Sequence, residues 1–176
     1  PRRGAVGIHG SAHPLPEGRG RSPVTWALVY GATRFFVHLF YLDEGADSGD
    51  LIATSRFDIT PTDDAARVLF KIGVVSAQLL ADNMPRILDG TAPRTPQVGV
   101  PTYLRRRQPE EGRIDWSLPI DAIYNLVRGV TRPYPGAFAD VERDGRIVTM
   151  RIWSVEVFSR TLDLDGRVGA VVHELG

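Results

Sequence analysis

Cysteine is absent from all 176 residues. Its absence excludes a disulfide framework and any thiolate metal site, and it suits a reducing, cytoplasmic setting. Excess charge is also missing. The 21 Lys and Arg are balanced by 21 Asp and Glu, which argues against a nucleic-acid surface built on bulk charge. No apolar run is long enough to span a bilayer, and the start shows no signal-peptide pattern. Internal repeats and low-complexity segments are lacking too. The first residues are Pro1-Arg2-Arg3 and the last stretch, 168–175, reads as a strand. The chain is therefore expected to be a fragment, one domain or a domain with part of a second.

The patterns that are present give an ordered set of elements. Residues 4–8 read as a short strand of small residues, and residues 13–20, rich in proline and glycine, as a loop. Ser22 stands as a helix N-cap before Pro23, with Gly31 past the helix end. Residues 35–42 are apolar on both alternations apart from His38, the signature of an internal strand covered on both faces. Residues 51–59 are extended. Thr60-Pro61 opens the longest helix, whose Ala65, Val68, Leu69, Ile72, Val75, Leu79 and Leu80 recur at helical spacing. Pro85 should kink or end that helix, and Gly90 closes it. Residues 91–100 form a Pro/Thr linker. A second helix over 119–130 carries Ile120, Ile123, Tyr124, Val127 and Val130 on one face. Asp144-Gly145 between apolar runs signals a hairpin.

The chemistry concentrates in two turns. Ile8-His9-Gly10-Ser11 leaves a strand, and the acid-rich Asp43-Glu44-Gly45-Ala46-Asp47-Ser48-Gly49-Asp50 follows one helix and one strand later. If the turns meet, a carboxylate bonds one ring nitrogen of His9 and leaves the other for proton transfer near neutral pH. The plain alternative is a strand-end histidine bonded to a carbonyl and acids that only stabilise their own turn. The acids lack the spacing of a calcium loop. Pro14 and Pro16 argue against a helix presenting His9 and His13 to zinc. Gly18-Arg19-Gly20 reads equally as a flexible loop and as a close backbone approach to a ligand. Arg105-Arg106-Arg107 reads as a solvated basic turn or as a diphosphate clamp, with Tyr103 able to stack on a base. Trp26 suits the core or a ligand wall; Trp116 and Trp153 read as structural. Asn125 and Arg128 share a helix face by their spacing.

Five pieces in order resemble the folate-dependent formyltransferases: His9-Gly10-Ser11; Pro16 through Pro23 with Trp26; Asp43 through Asp50; Pro109-Glu110-Glu111-Gly112-Arg113-Ile114-Asp115-Trp116; and Ile123-Tyr124-Asn125-Leu126-Val127-Arg128 followed by Pro133-Tyr134-Pro135-Gly136-Ala137-Phe138. The resemblance implies an α/β fold: a partial Rossmann-like domain with a parallel sheet over 1–90, a linker and helix over 91–136, and a small β-rich C-terminal subdomain from 137 to 176. It implies 10-formyltetrahydrofolate as donor, held against Leu42, Asp43 and Gly45, and a primary amine as acceptor. His9 and Asp47 match the family's catalytic histidine and aspartate. Tyr103 through Arg107 and Pro133-Tyr134-Pro135 look more like the nucleotide-sugar N-formyltransferases than methionyl-tRNA formyltransferase. A nucleotide-linked amino sugar would then contact Ser11, Gly20, Tyr103, Arg105, Arg107, Asn125 and Arg128. Nucleic acid and membrane are not expected partners, and a homodimer is left open. The family asparagine falls on Gly7. Losing one oxyanion donor typically costs a factor of about a hundred to a thousand in turnover, so a catalytically silent ligand-binding domain is the remaining rival.

Overall fold

The computed structural model describes residues 4–159. In chain order they form β1 (Val6–Ser11), β2 (Arg19–Gly20), α1 (Pro23–Val29), β3 (Arg34–Tyr41), β4 (Leu51–Asp58), α2 (Ala65–Asp89), β5 (Tyr103–Leu104), a 3-10 turn (Pro109–Gly112), α3 (Ile120–Val130), β6 (Ala137–Arg143) and β7 (Arg146–Ile152). The architecture is α/β, with a sheet ordered β1-β3-β4, a hairpin β6-β7 and a short pair β2-β5. The strand expected over 168–175 lies outside the described residues. No described helix is long and apolar enough to cross a membrane.

β3 is central because both its faces are apolar. Phe35, Val37, Leu39 and Tyr41 join Val24 and Leu28 of α1 and Val68 and Leu79 of α2 in one buried core. Phe36, His38 and Phe40 look the other way, together with Ser11, His9 and Gly7, their register partners on β1. A second, smaller core joins Val127 and Val130 of α3 to Ala137 and Ala139 of β6. The β6-β7 hairpin turns on Asp144-Gly145 with positive φ at both residues, the conformation that suits the twist of its strands.

Several expectations need correction. The described sheet is antiparallel at both pairings; for β3 and β4 the acidic loop joining them is too short for a crossover. Parallel pairing occurs in the two-residue ladder of β2 with β5. The long helix begins at Ala65, not at Thr60-Pro61. Asp63 accepts the Thr60 N–H at 2.7 Å and closes a separate turn, and Asp64 caps α2 by accepting the Arg67 N–H at 2.9 Å. Pro85 does not end α2, which runs on to Asp89 and stops at Gly90 in the left-handed region. Ser22 precedes α1 but gives it no side-chain cap. Its Oγ instead accepts the Arg107 N–H at 3.2 Å; Pro23 at the first helical position has no N–H to satisfy.

Among the described residues β1 pairs with β3 alone, and no described strand covers its outer edge. Ile8 on that edge is exposed, as are Phe70 and Val74 on α2. Produced as these 176 residues, the chain is expected to self-associate, since bare edges and apolar patches drive pairing. Sedimentation velocity should show oligomers that Ile8→Lys reduces; a concentration-independent monomer would contradict this.

Candidate active site

β1 places His9 on the sheet face away from the main core, where only 7 % of it is exposed. The loop from β3 to β4 brings Asp47 to it, with Nδ1 of His9 3.3 Å from Oδ2 of Asp47. The same Oδ2 accepts the Gly20 N–H at 2.8 Å. The two turns therefore form one site. The second ring nitrogen, however, is not free. Nε2 of His9 lies 2.9 Å from the Gly18 carbonyl oxygen, because the 13–20 loop folds back over the strand. Nδ1 thus stands beside a carboxylate and Nε2 against a backbone carbonyl.

Three residues that sequence reasoning missed hold this arrangement. Gln97, in the linker, donates to the carbonyls of Asp47 at 2.8 Å and Gly49 at 2.9 Å. Arg19, almost fully buried, donates from Nε and Nη2 to Gln97 Oε1 at 3.2 and 2.7 Å, and from Nη1 to the Tyr103 hydroxyl at 3.2 Å. Thr102 Oγ1 accepts the Gly18 N–H at 2.8 Å. The β2-β5 ladder creates this brace by joining segments far apart in sequence. At Gly20, φ is +103°, and a Cβ would run into the Leu104 carbonyl oxygen, so the ladder and the Asp47 contact both need glycine there.

The other predicted residues divide into two groups. Ser11, Gly20, Leu42, Asp43, Gly45 and Tyr103 sit on the segments that build the His9 site. Ser11 braces its loop, donating to the Glu17 carbonyl and accepting the His13 N–H, both at 3.3 Å. Asp43 accepts from Ser48 Oγ at 2.6 Å and from the Gly45 N–H at 3.0 Å. The Ser48 bond, ahead of the Gly45 N–H, holds its carboxyl below the usual range. Leu42 is half-exposed, and its Cδ2 stands 2.7 Å from where a Gly7 Cβ would be.

Arg105, Arg107, Asn125 and Arg128 are already engaged elsewhere. Arg105 makes a bidentate pair with Glu111, at 2.8 and 2.6 Å. That pairing, first through the Arg105 hydrogen bonds, brings the Glu111 carboxyl down to about 2. Arg107 donates to the Glu111 carbonyl at 2.6 Å, and both guanidinium groups lie over the Trp26 ring. Arg105 and Arg107 are therefore both tied to the 3-10 turn, with the Arg105 side chain still largely exposed. Arg128 donates to Asn125 Oδ1 at 2.8 Å and to the Asp63 carbonyl at 2.8 Å, so this pair fastens α3 to the turn before α2.

A cavity of about 690 Å³ opens beside the site, lined in part by Ser11, His13, Gly18, Trp26, Tyr30 and Phe36. His9 and Asp47 do not line it. Gly18 belongs to both, lining the cavity and bonding His9 through its carbonyl. Trp26 and Tyr30 stack at 5.3 Å and give the cavity an aromatic wall.

The acidic loop depends on Gly49. A Cβ there would overlap the Tyr41 carbonyl oxygen, next to the 2.9 Å bond from the Tyr41 N–H to the Asp50 carbonyl. Gly49→Ala is expected to destabilise the fold by about 1–3 kcal/mol through overpacking and to draw Asp47 from His9. Denaturant melts check the first part. An unchanged midpoint would show that the loop relaxes freely.

The sequence matches the formyl transferase family over residues 1–83 and the formyl transferase C-terminal domain over residues 106–175. Solved structures share the fold. Methionyl-tRNA formyltransferase from Clostridium thermocellum is 24% identical with a TM-score of 0.61, the match covering 84% of this chain and 68% of that one. The N-formyltransferase from Helicobacter canadensis, solved with folinic acid and dTDP-3-aminofucose, is 20% identical with a TM-score of 0.64, covering 78% and 51%. A 4-N formyltransferase from Francisella tularensis is 17% identical with a TM-score of 0.70, covering 86% and 63%. The chain thus spans between about half and two thirds of the length of these relatives.

Proposed function

The chain belongs to the formyl transferase family, and from that premise we propose that the protein carrying it moves a formyl group from 10-formyltetrahydrofolate to the amine of a nucleotide-linked amino sugar. The observation that carries this reading is the clamped pair of His9 and Asp47. The acceptor amine attacks the formyl carbon, a new N–C bond forms, and the bond from that carbon to the donor nitrogen breaks. His9 relays the proton lost by the amine to the departing nitrogen. Asp47 orients the ring and stabilises its charged form, as a carboxylate does beside a catalytic imidazole. For this relay, Nε2 must exchange the Gly18 carbonyl for substrate.

The donor fits the residues present. On the His9 face of the sheet Leu42 and Phe40 close over Gly7, where a Cβ would meet both, and they give the donor's flat ring system an apolar neighbour. Leu42, Asp43 and Gly45 would hold it. The exposed Tyr103 ring and the Trp26-Tyr30 wall suit a nucleotide base. A diphosphate would have to draw Arg105 away from Glu111. The sugar acceptor is favoured over tRNA by the Tyr103–Arg107 and Pro133-Tyr134-Pro135 segments and by the chain's zero net charge. One observation favours a silent binding domain instead: Nε2 of His9 is occupied by the protein's own backbone.

The full-length protein, given 10-formyltetrahydrofolate with dTDP-linked amino sugars or with methionyl-tRNA, separates these readings. Formylated sugar supports the proposal. Formylated tRNA transfers it to the other branch, and binding without turnover marks a silent domain. In the same assay Gly7→Asn is expected to raise turnover by about a hundredfold by adding one oxyanion donor. The substitution asks Leu42 Cδ2, at 2.7 Å the end of a mobile side chain, to rotate, and the Phe40 ring at 3.1 Å to yield slightly. No gain from a folded variant would mean that another group already fills the role.

A further inference from the structure

His38 is the one polar residue in the middle of β3, and it is 1 % exposed. It is the direct register partner of His9, so the two rings share one face of the sheet. A buried imidazole is costly unless both nitrogens are satisfied, and here they are. Nε2 faces the Leu15 N–H at 3.4 Å. The His13 backbone carbonyl against the ring favours the protonated form, but a backbone N–H can only donate, so the Leu15 bond requires an unprotonated Nε2. The proton then sits on Nδ1, which donates to Thr54 Oγ1 at 2.9 Å. Leu15 belongs to the loop that carries Gly18 and Gly20. The far half of that loop is held by Thr102, through Oγ1 to Gly18 and through its carbonyl to Arg19. The near half is held to the sheet by Ser11 and by His38.

We propose that His38 is a positioning residue for His9: its neutral ring latches the 13–20 loop onto the sheet, so that the Gly18 carbonyl meets His9 and the Gly20 N–H meets Asp47. The two nitrogens of one ring bridge β4, through Thr54, to the loop, through Leu15. An apolar residue would fill the space and make neither bond. This role deepens the proposed transfer reaction and rests on that reading only where turnover is measured.

The test uses the full-length protein and three variants. His38→Gln keeps an acceptor near the position of Nε2, and His38→Asn keeps only a group near Nδ1. Thr54→Val removes the Nδ1 acceptor from an exposed position and leaves the core packing alone. The primary readout is the proton-bearing Nε2 signal of His9 in nitrogen-15 NMR. It should persist in wild type and His38→Gln and weaken or vanish in His38→Asn and, to a lesser extent, in Thr54→Val. Turnover should follow, falling about tenfold in His38→Asn with KM for the donor unchanged and staying within about threefold in His38→Gln. An unchanged His9 signal in His38→Asn overturns the proposal, as does equal loss in the Gln and Asn variants. If His38→Asn does not fold, an unchanged His9 signal in Thr54→Val overturns it. If wild type transfers no formyl group, the reaction proposal fails while the His9 signal still decides this one.

Discussion

His9→Ala in the full-length protein is expected to lower formyl transfer by about a thousandfold, within the range for removing a positioned general base. The expected change is in kcat. His9 is 7 % exposed and its ring is held by Asp47 and the Gly18 carbonyl, so it contributes little surface for binding substrate. Interactions that act only as charge develops alter kcat and kcat/KM together. Asp47→Asn should cost less, because the ring keeps its Gly18 contact and the Gly20 N–H can still find an amide oxygen. Stability should fall by roughly 1–2 kcal/mol in His9→Ala, since the Gly18 carbonyl loses a buried partner. Steady-state kinetics with matched denaturant melts separate the two effects. Turnover within threefold of wild type in a folded His9→Ala protein would remove His9 from the mechanism.

Much of the scaffold was legible because it is written in local patterns. Phe35-Phe36-Val37-His38-Leu39-Phe40-Tyr41 is apolar on both alternations, and the strand it forms is central. Asp144-Gly145 between two alternating runs gave the hairpin, and the period of Ile120, Ile123, Val127 and Val130 gave α3 almost to the residue. The approach of Asp47 to His9 was legible from the two turns and their family resemblance.

What was not legible depends on contacts between distant segments. The β2-β5 ladder is two residues long on each side and has no periodicity to read, yet it brings Arg19, Gln97 and Thr102 to the site. The engagement of Arg105 and Arg107 depends on how the 3-10 turn presents Glu111, and basic composition alone does not show that a guanidinium is already paired. Asn125 and Arg128 were correctly placed on one helix face. Their bond to each other and to the turn before α2 needed the packing of α3. His38 was visible only as an exception in an apolar run, because its partners lie on a neighbouring strand and in a loop.

Stability is expected to fall by about 3 kcal/mol as pH drops from 6.5 to 4 because of His38 alone, if an unfolded histidine titrates near its ordinary value. Burial, followed by the adjacent His9, lowers His38 from 6.5 to about 4 in the folded protein. Between those two values the unfolded chain binds a proton at this position and the folded chain does not. Stability therefore rises with pH across the window and is level above it. Protonation would also turn Nε2 from acceptor to donor against the Leu15 N–H. The groups around the ring are His9 on β1, the neutral Thr54 on β4, Phe36 alongside on β3, and loop backbone at Leu15 and at His13, whose carbonyl opposes the shift by favouring the protonated ring. Paired carboxylates such as Glu111, brought down to about 2, lose their contribution at lower pH. Urea melts at half-unit steps from pH 7 to 4 should show the slope in wild type, and His38→Gln should flatten it by most of that amount. Parallel slopes in the two proteins would mean that His38 takes up its proton in the folded state as readily as in the unfolded one.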